Sequence, residues 1–156
     1  MLEVLLSPEP ILASSFFLAG NYYIVLGSLV SSFTKEELAF ILAHEIGHLE
    51  HSLHSCPYLD KIKPYKICVH LFILASLLCY FYPLLLPLLF LFFFYLVCRW
   101  QKREYEADGF ASLVMGKEVA IRTLQKLQSM DGSGFSLTHP SYSSRIYSCR
   151  IRSGRG

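Results

Sequence analysis

Apolar and polar positions follow three different rhythms along the chain. Leu2 to Leu6 is a short apolar run closed by Ser7-Pro8-Glu9-Pro10. Tyr22 to Leu26 is a run of aromatic and β-branched residues, opened by Gly20-Asn21 and stopped by Gly27. Both predict strands, so a sheet of two or more strands precedes the first helix. In Phe33-Thr34-Lys35-Glu36-Glu37-Leu38, Thr34 can cap a helix, Glu37 can return the bond three residues on, and Phe33 with Leu38 completes a hydrophobic staple. The helix that starts there should run through Gly47 and His48 and fray before Pro57. Gly47 inside it costs about 1 kcal/mol relative to Ala, a cost tolerated where another element must approach closely.

The second rhythm is no rhythm at all: Ile67 to Cys98 holds no Asp, Glu, Lys or Arg. A straight helix over that stretch would measure roughly 48 Å, well over a hydrocarbon core of about 30 Å. Pro83 and Pro87 are placed to break it in the middle, which predicts a transmembrane helical hairpin over residues 65–99. Lys61, Lys63 and Lys66 lie before it, and Arg99, Lys102 and Arg103 after it, so both flanks favour the cytoplasmic side. A buried or re-entrant hairpin is the competing reading, because the two arms are short. Beyond the hairpin, Trp100 to Met115 predicts a helix stopped by Gly116. Lys117 to Met130 predicts an amphipathic helix with Ala120, Ile121, Leu124 and Leu127 on one side, and Asp131-Gly-Ser-Gly134 a loop.

A length of 156 residues suits one unit, residues 1–156, with room for a single site. The hydrophobic fraction of 53% and mean hydropathy of +0.41 exceed those of ordinary soluble domains, which supports a lipid bilayer as partner. A net charge of +2 gives no broad basic field, and no nucleic-acid motif is present, so nucleic acid is not an expected partner. The five cysteines are odd in number and lack a C-x-x-C pair, as expected of reduced thiols in a cytosol-facing protein. Met1-Leu-Glu-Val offers no basic region ahead of an apolar run, so no cleaved secretory signal is expected.

Chemistry concentrates in His44-Glu45-Ile46-Gly47-His48. The i, i+4 spacing puts two imidazoles on one helix face, able to reach one Zn²⁺, while Glu45 can reach a water bound there. Catalytic zinc needs a third protein ligand, and two residues compete for the place. His54 stands where a metzincin has its third histidine, but His51 occupies the position where that pattern needs a glycine to turn the chain. The other candidate is Glu104 in Arg103-Glu104-Tyr105-Glu106-Ala107-Asp108, where Glu104 and Asp108 share one helix face. Glu104 can bind metal while Asp108 accepts a ring N–H from a ligand histidine. Both ends of the segment between His48 and Glu104 must lie on one side of the bilayer, so its crossings must be even in number.

Three segments carry a family resemblance: Ala43-His-Glu-Ile-Gly-His48, Arg103-Glu-Tyr-Glu-Ala-Asp108, and His139-Pro140 with Arg145-Ile146. With the Tyr22 to Leu26 strand they cover nearly the whole chain, which resembles the gluzincin membrane metallopeptidases, the group of HtpX-type heat-shock proteases and CAAX prenyl endopeptidases. The resemblance implies a mainly α fold with a small β-sheet (α+β), a gluzincin-like zinc peptidase domain interrupted by the hairpin. It implies one catalytic Zn²⁺ on His44, His48 and Glu104, Glu45 as base, Asp108 as orienting residue, and polypeptide as substrate. It also implies that His139 or Arg145 lies near the substrate.

The expected reaction is hydrolysis of a peptide bond by metal-activated water, with Glu45 moving the proton and His139, Tyr105 or Arg145 adding a donor. The strand carrying Tyr22, Tyr23, Ile24 and Val25 is the expected substrate-binding edge, on which an extended peptide pairs as one more strand. The alternatives are a metzincin-like site using His54 and a non-catalytic zinc-binding membrane scaffold.

Overall fold

A two-residue turn at Ala19-Gly20, both at positive φ (50° and 87°), joins the antiparallel strands β2 (Ala13–Leu18) and β3 (Asn21–Leu26) in the computed structural model. Two positive φ values match the twist of a hairpin, and Gly20 adopts its value without strain. Strand β1 (Leu2–Leu6) pairs with β3 in parallel, so the sheet order is β1-β3-β2 and β3 lies in the centre. The connection between β1 and β2 crosses to the far edge and is tied down by Ser7 N to Leu26 O (2.8 Å) and Gly27 N to Leu12 O (3.0 Å). Gly27 is required there, because a Cβ would stand 2.1 Å from the Ile11 carbonyl oxygen. The structure describes residues 1–54, 69–71, 73, 74, 77, 85–131 and 139–152.

This arrangement corrects one expectation. The strand of Tyr22, Tyr23, Ile24 and Val25 is paired on both sides and offers no open edge for a substrate. Its alternate residues Ile24 and Leu26 are 1% and 6% exposed against Leu49 of the first helix, so one face of this strand is built into the core. Strand β2, which the sequence pattern missed, forms the edge nearest that helix; its Ser14 and Ser15 interrupt the apolar run.

After a 3₁₀ turn (Ser28–Ser32), helix α1 (Lys35–His54) opens on the expected capping box: Glu37 N donates to Thr34 Oγ1 (3.3 Å) and Thr34 N to Glu37 Oε2 (2.8 Å). Helix α2 (Leu85–Met115) packs on α1 more extensively than any other element. The pair is antiparallel, with His44 beside Asp108 and His48 beside Glu104. Gly47 faces Ala107 where they cross, and a Cβ at residue 47 would lie 3.0 Å from the Ala107 Cα. The glycine that weakens α1 locally is what lets the helices meet.

Helix α3 (Lys117–Asp131) follows Gly116 (φ 89°), and helix α4 (Tyr142–Arg152) closes the core with Ile146 and Cys149 against Phe40, Ala43, Ala111, Ala120 and Leu124. Lys126 of α3 reaches back to Glu37 (2.9 Å) and Ser32 O (2.7 Å). The Lys126 ammonium and the Thr34 amide hold the Glu37 carboxyl below its ordinary range.

The expected hairpin over residues 65–99 lies partly outside the described residues. Its second arm is not a separate element, because α2 starts at Leu85 and runs without a break through Arg99 to Met115. Pro87 falls in the first turn, where a missing N–H leaves no helical bond unmade, and no breaker stands between Cys98 and Trp100. Leu88, Phe90 and Leu91 are each more than 60% exposed, an apolar surface that no described part of the chain covers. Among the described residues, no helix is long and apolar enough to cross a membrane.

Candidate metal centre

The crossing of α1 and α2 converges three side chains. His44 Nε2 and His48 Nε2 stand 3.1 Å apart, His48 Nε2 is 3.3 Å from Glu104 Oε1, and His44 Nε2 is 3.7 Å from Glu104 Oε2. All three ligand atoms fall within 4.8 Å of one another. A tetrahedral ion with bonds of about 2.0–2.1 Å needs donor atoms roughly 3.3–3.4 Å apart, so the spacing suits a metal of the size of zinc. Two imidazole nitrogens at 3.1 Å can share at most one proton, whereas a cation between them uses both lone pairs.

The other ring nitrogen of His44 fits the same reading. Nδ1 is buried and lacks a well-aligned hydrogen-bond partner, yet it lies 3.0 Å from Asp108 Oδ1. A small rotation of the ring would turn that approach into an Nδ1–H···O bond and leave the Nε2 lone pair for an ion. Asp108 is itself gripped by both arms of Arg145, Nε to Oδ2 and Nη2 to Oδ1, each at 2.7 Å. The third nitrogen of that guanidinium, Nη1, is 3.3 Å from Glu104 Oε2.

Electrostatics follow from this packing. Burial alone would raise the Glu104 and Asp108 carboxyl pKa values. Hydrogen bonds from His139 and His48 to Glu104, and from Arg145 to Asp108 with the His44 ring close beside it, outweigh it, and both carboxyls stay below their ordinary range. Arg145 is 7% exposed, and its carboxylate partners keep it charged against that burial.

A cavity of about 390 Å³ opens beside the three side chains. Glu45 (9% exposed), His139 and Arg145 reach it, and Leu12, Phe40, Ile41, Leu127 and Tyr142 supply apolar lining. His139 Nδ1 is 3.1 Å from Glu104 Oε1, which raises the imidazole pKa. Tyr105 does not reach the cavity; it lines a shallow depression elsewhere, with Lys102 and Tyr147. Tyr22 to Val25 do not line it either, and Leu12, just before β2, is the sheet-side residue that does. Leu12, Leu127 and Tyr142 belong to no motif, so nothing local marked them as lining residues.

The rival ligand His54 is disfavoured by the backbone. Helix α1 continues through residue 54, roughly 9 Å along the axis from His48, and does not make the turn that a metzincin site requires.

Two antiparallel helices, one carrying a histidine pair and the other a carboxylate, define a metallopeptidase type of centre. The chain matches the model of Peptidase family M48 over residues 4–152 and belongs to that family. The crystal structure of S. mikatae Ste24p has a similar fold, with a TM-score of 0.62 and 22% identity over 88% of this chain and 41% of that one. The chain thus spans about two-fifths of the length of that protein. No curated protein matches it.

Proposed function

We propose that the protein is a zinc-dependent membrane endopeptidase in which His44, His48 and Glu104 hold one ion and Glu45 is the general base. The observation that carries this reading is the spacing of the three ligand atoms, 3.1 to 3.7 Å, beside a cavity that Glu45 also lines. A bound zinc ion supplies Lewis acidity, which makes a water easier to deprotonate and offsets negative charge on the attacked carbonyl.

The chain's own residues do the rest. Glu45 takes the proton from the attacking water and returns it to the leaving amine. His139, with a side chain 59% exposed at the cavity, is placed to donate to the carbonyl oxygen. Arg145 serves instead as a positioning residue, since its guanidinium is taken up by Asp108 and Glu104. An extended substrate pairs with the outer edge of β2, which faces no other strand among the described residues and continues from the cavity-lining Leu12. In this reading the apolar stretch from Ile67 to Cys98 holds the protein in a bilayer, and its basic flanks support a cytoplasmic side for the site.

The test is cleavage of an unfolded protein by the purified chain. Activity should vanish with a strong chelator and return on adding zinc. Bound metal without turnover would contradict the peptidase and leave a zinc-binding scaffold.

A further inference from the structure

We infer that Leu127 and Asp131 of helix α3 form a subsite for a basic side chain, so that the enzyme favours polypeptides with Lys or Arg close to the bond it cuts. The inference rests on the peptidase reading above and adds a preference to it.

Asp131 is the last residue of α3 and borders the same cavity as His44, His48, Glu45 and Glu104. Its place in the helix is electrostatically poor. The C-terminal end of a helix carries a partial negative charge, which disfavours a carboxylate there, and no basic residue stands in the last turn to offset it. Among the described residues, no hydrogen bond or ion pair reaches this carboxylate.

The rest of the cavity wall does not neutralise it. Arg145 is committed to Asp108 and Glu104, and His139 turns its Nδ1 to Glu104 Oε1 at 3.1 Å. Both cations that line the cavity are thus taken by other carboxylates. The field of Asp131 is nevertheless felt inside: burial raises the hydroxyl pKa of Tyr142, and among the negative neighbours that add to the rise Asp131 comes first.

The surroundings of this charge narrow the class of ligand. Leu127 lies one helical turn before Asp131, about 6 Å along the axis, and is half-buried at the same cavity, as is the ring of Tyr142. An apolar strip that leads to a carboxylate matches a side chain with an aliphatic stem and a charged head, as in Lys and Arg. A free α-amino group brings the charge without the stem, and a metal ion needs more ligands than one carboxylate.

Two measurements on the full chain decide this. In the first, acetylated and otherwise uncharged peptides carry a single Lys, Gln or Glu at successive positions on either side of the cut bond. At one position Lys should raise kcat/KM about 3–10-fold over Gln, and Glu should lower it. In Asp131→Asn the advantage of Lys over Gln should disappear, and in Asp131→Lys the ranking should invert in favour of Glu. A preference for Lys that persists in Asp131→Asn, or no preference at any position, would overturn the subsite while leaving the peptidase intact. So would a preference for an unacetylated N-terminus in place of an internal Lys.

The second measurement needs no turnover. The Lys and Gln peptides are titrated calorimetrically onto zinc-loaded Glu45→Gln, where the Lys peptide should bind about 3–10-fold more tightly. Adding Asp131→Asn should remove the difference, and equal binding of both peptides to Glu45→Gln would overturn the subsite. If the native chain cuts no peptide, the peptidase reading fails, and this titration alone decides whether Asp131 receives a basic side chain.

Discussion

Replacing Glu45 by Gln should leave the metal in place and lower the rate of peptide hydrolysis by on the order of 10²–10⁴-fold or more. Glu45 lines the cavity, and neither it nor any atom of it is among the three clustered ligand atoms. Gln keeps the size and the hydrogen-bonding oxygen but cannot take a proton. A loss of turnover with full metal content separates the base from the ligands, and a variant that still cuts at the original rate would remove Glu45 from that role.

The second large effect is expected at Arg145. Its fork holds Asp108 through two bonds of 2.7 Å, and its remaining nitrogen touches Glu104. Lys in its place offers a single ammonium and cannot span both carboxylates. Lys keeps the charge and loses the fork, so the cost should stay below the roughly 3–5 kcal/mol of removing one partner of a buried ion pair, and a disturbed support of a ligand histidine typically costs 10–100-fold in metal affinity. Thermal unfolding and metal titration of Arg145→Lys should both report the loss, and a variant as stable and as tight-binding as the native chain would contradict the clamp. The pH dependence gives a further sign. Asp108 and Glu104 are held below their ordinary values, so their contribution to stability is complete above about pH 5 and fades as the pH falls toward their lower folded values. In Arg145→Lys the burial of Asp108 is less compensated, its pKa rises, and acid unfolding moves to higher pH.

Much of the site could be read from sequence because local spacing and local structure coincide there. The capping box at Thr34 and Glu37 fixes where α1 starts, and the helix period then places His44 and His48 on one face. Likewise Glu104 and Asp108 lie one turn apart on α2. The closeness of Gly47 to Ala107 was foreshadowed by the cost of a glycine inside a helix. What sequence could not supply is long-range. Nothing in Tyr22 to Leu26 says that two strands flank it, since pairing depends on where β1 and β2 return. Arg145 offered itself as a substrate contact, and only the packing of α4 on α2 shows it committed to Asp108 and Glu104. The second arm of the hairpin and the Glu104 helix looked like two elements because composition changes at Arg99. Backbone continuity does not follow composition, and without a breaker one helix carries both.

The central claim, that two distant helices close on one ion, is tested most directly by metal content per chain in a set of single variants. The native protein and His54→Ala should each bind one zinc ion. His44→Ala, His48→Ala and Glu104→Ala should each lose it or bind far more weakly. Full zinc in Glu104→Ala, or loss of zinc in His54→Ala, would contradict the account.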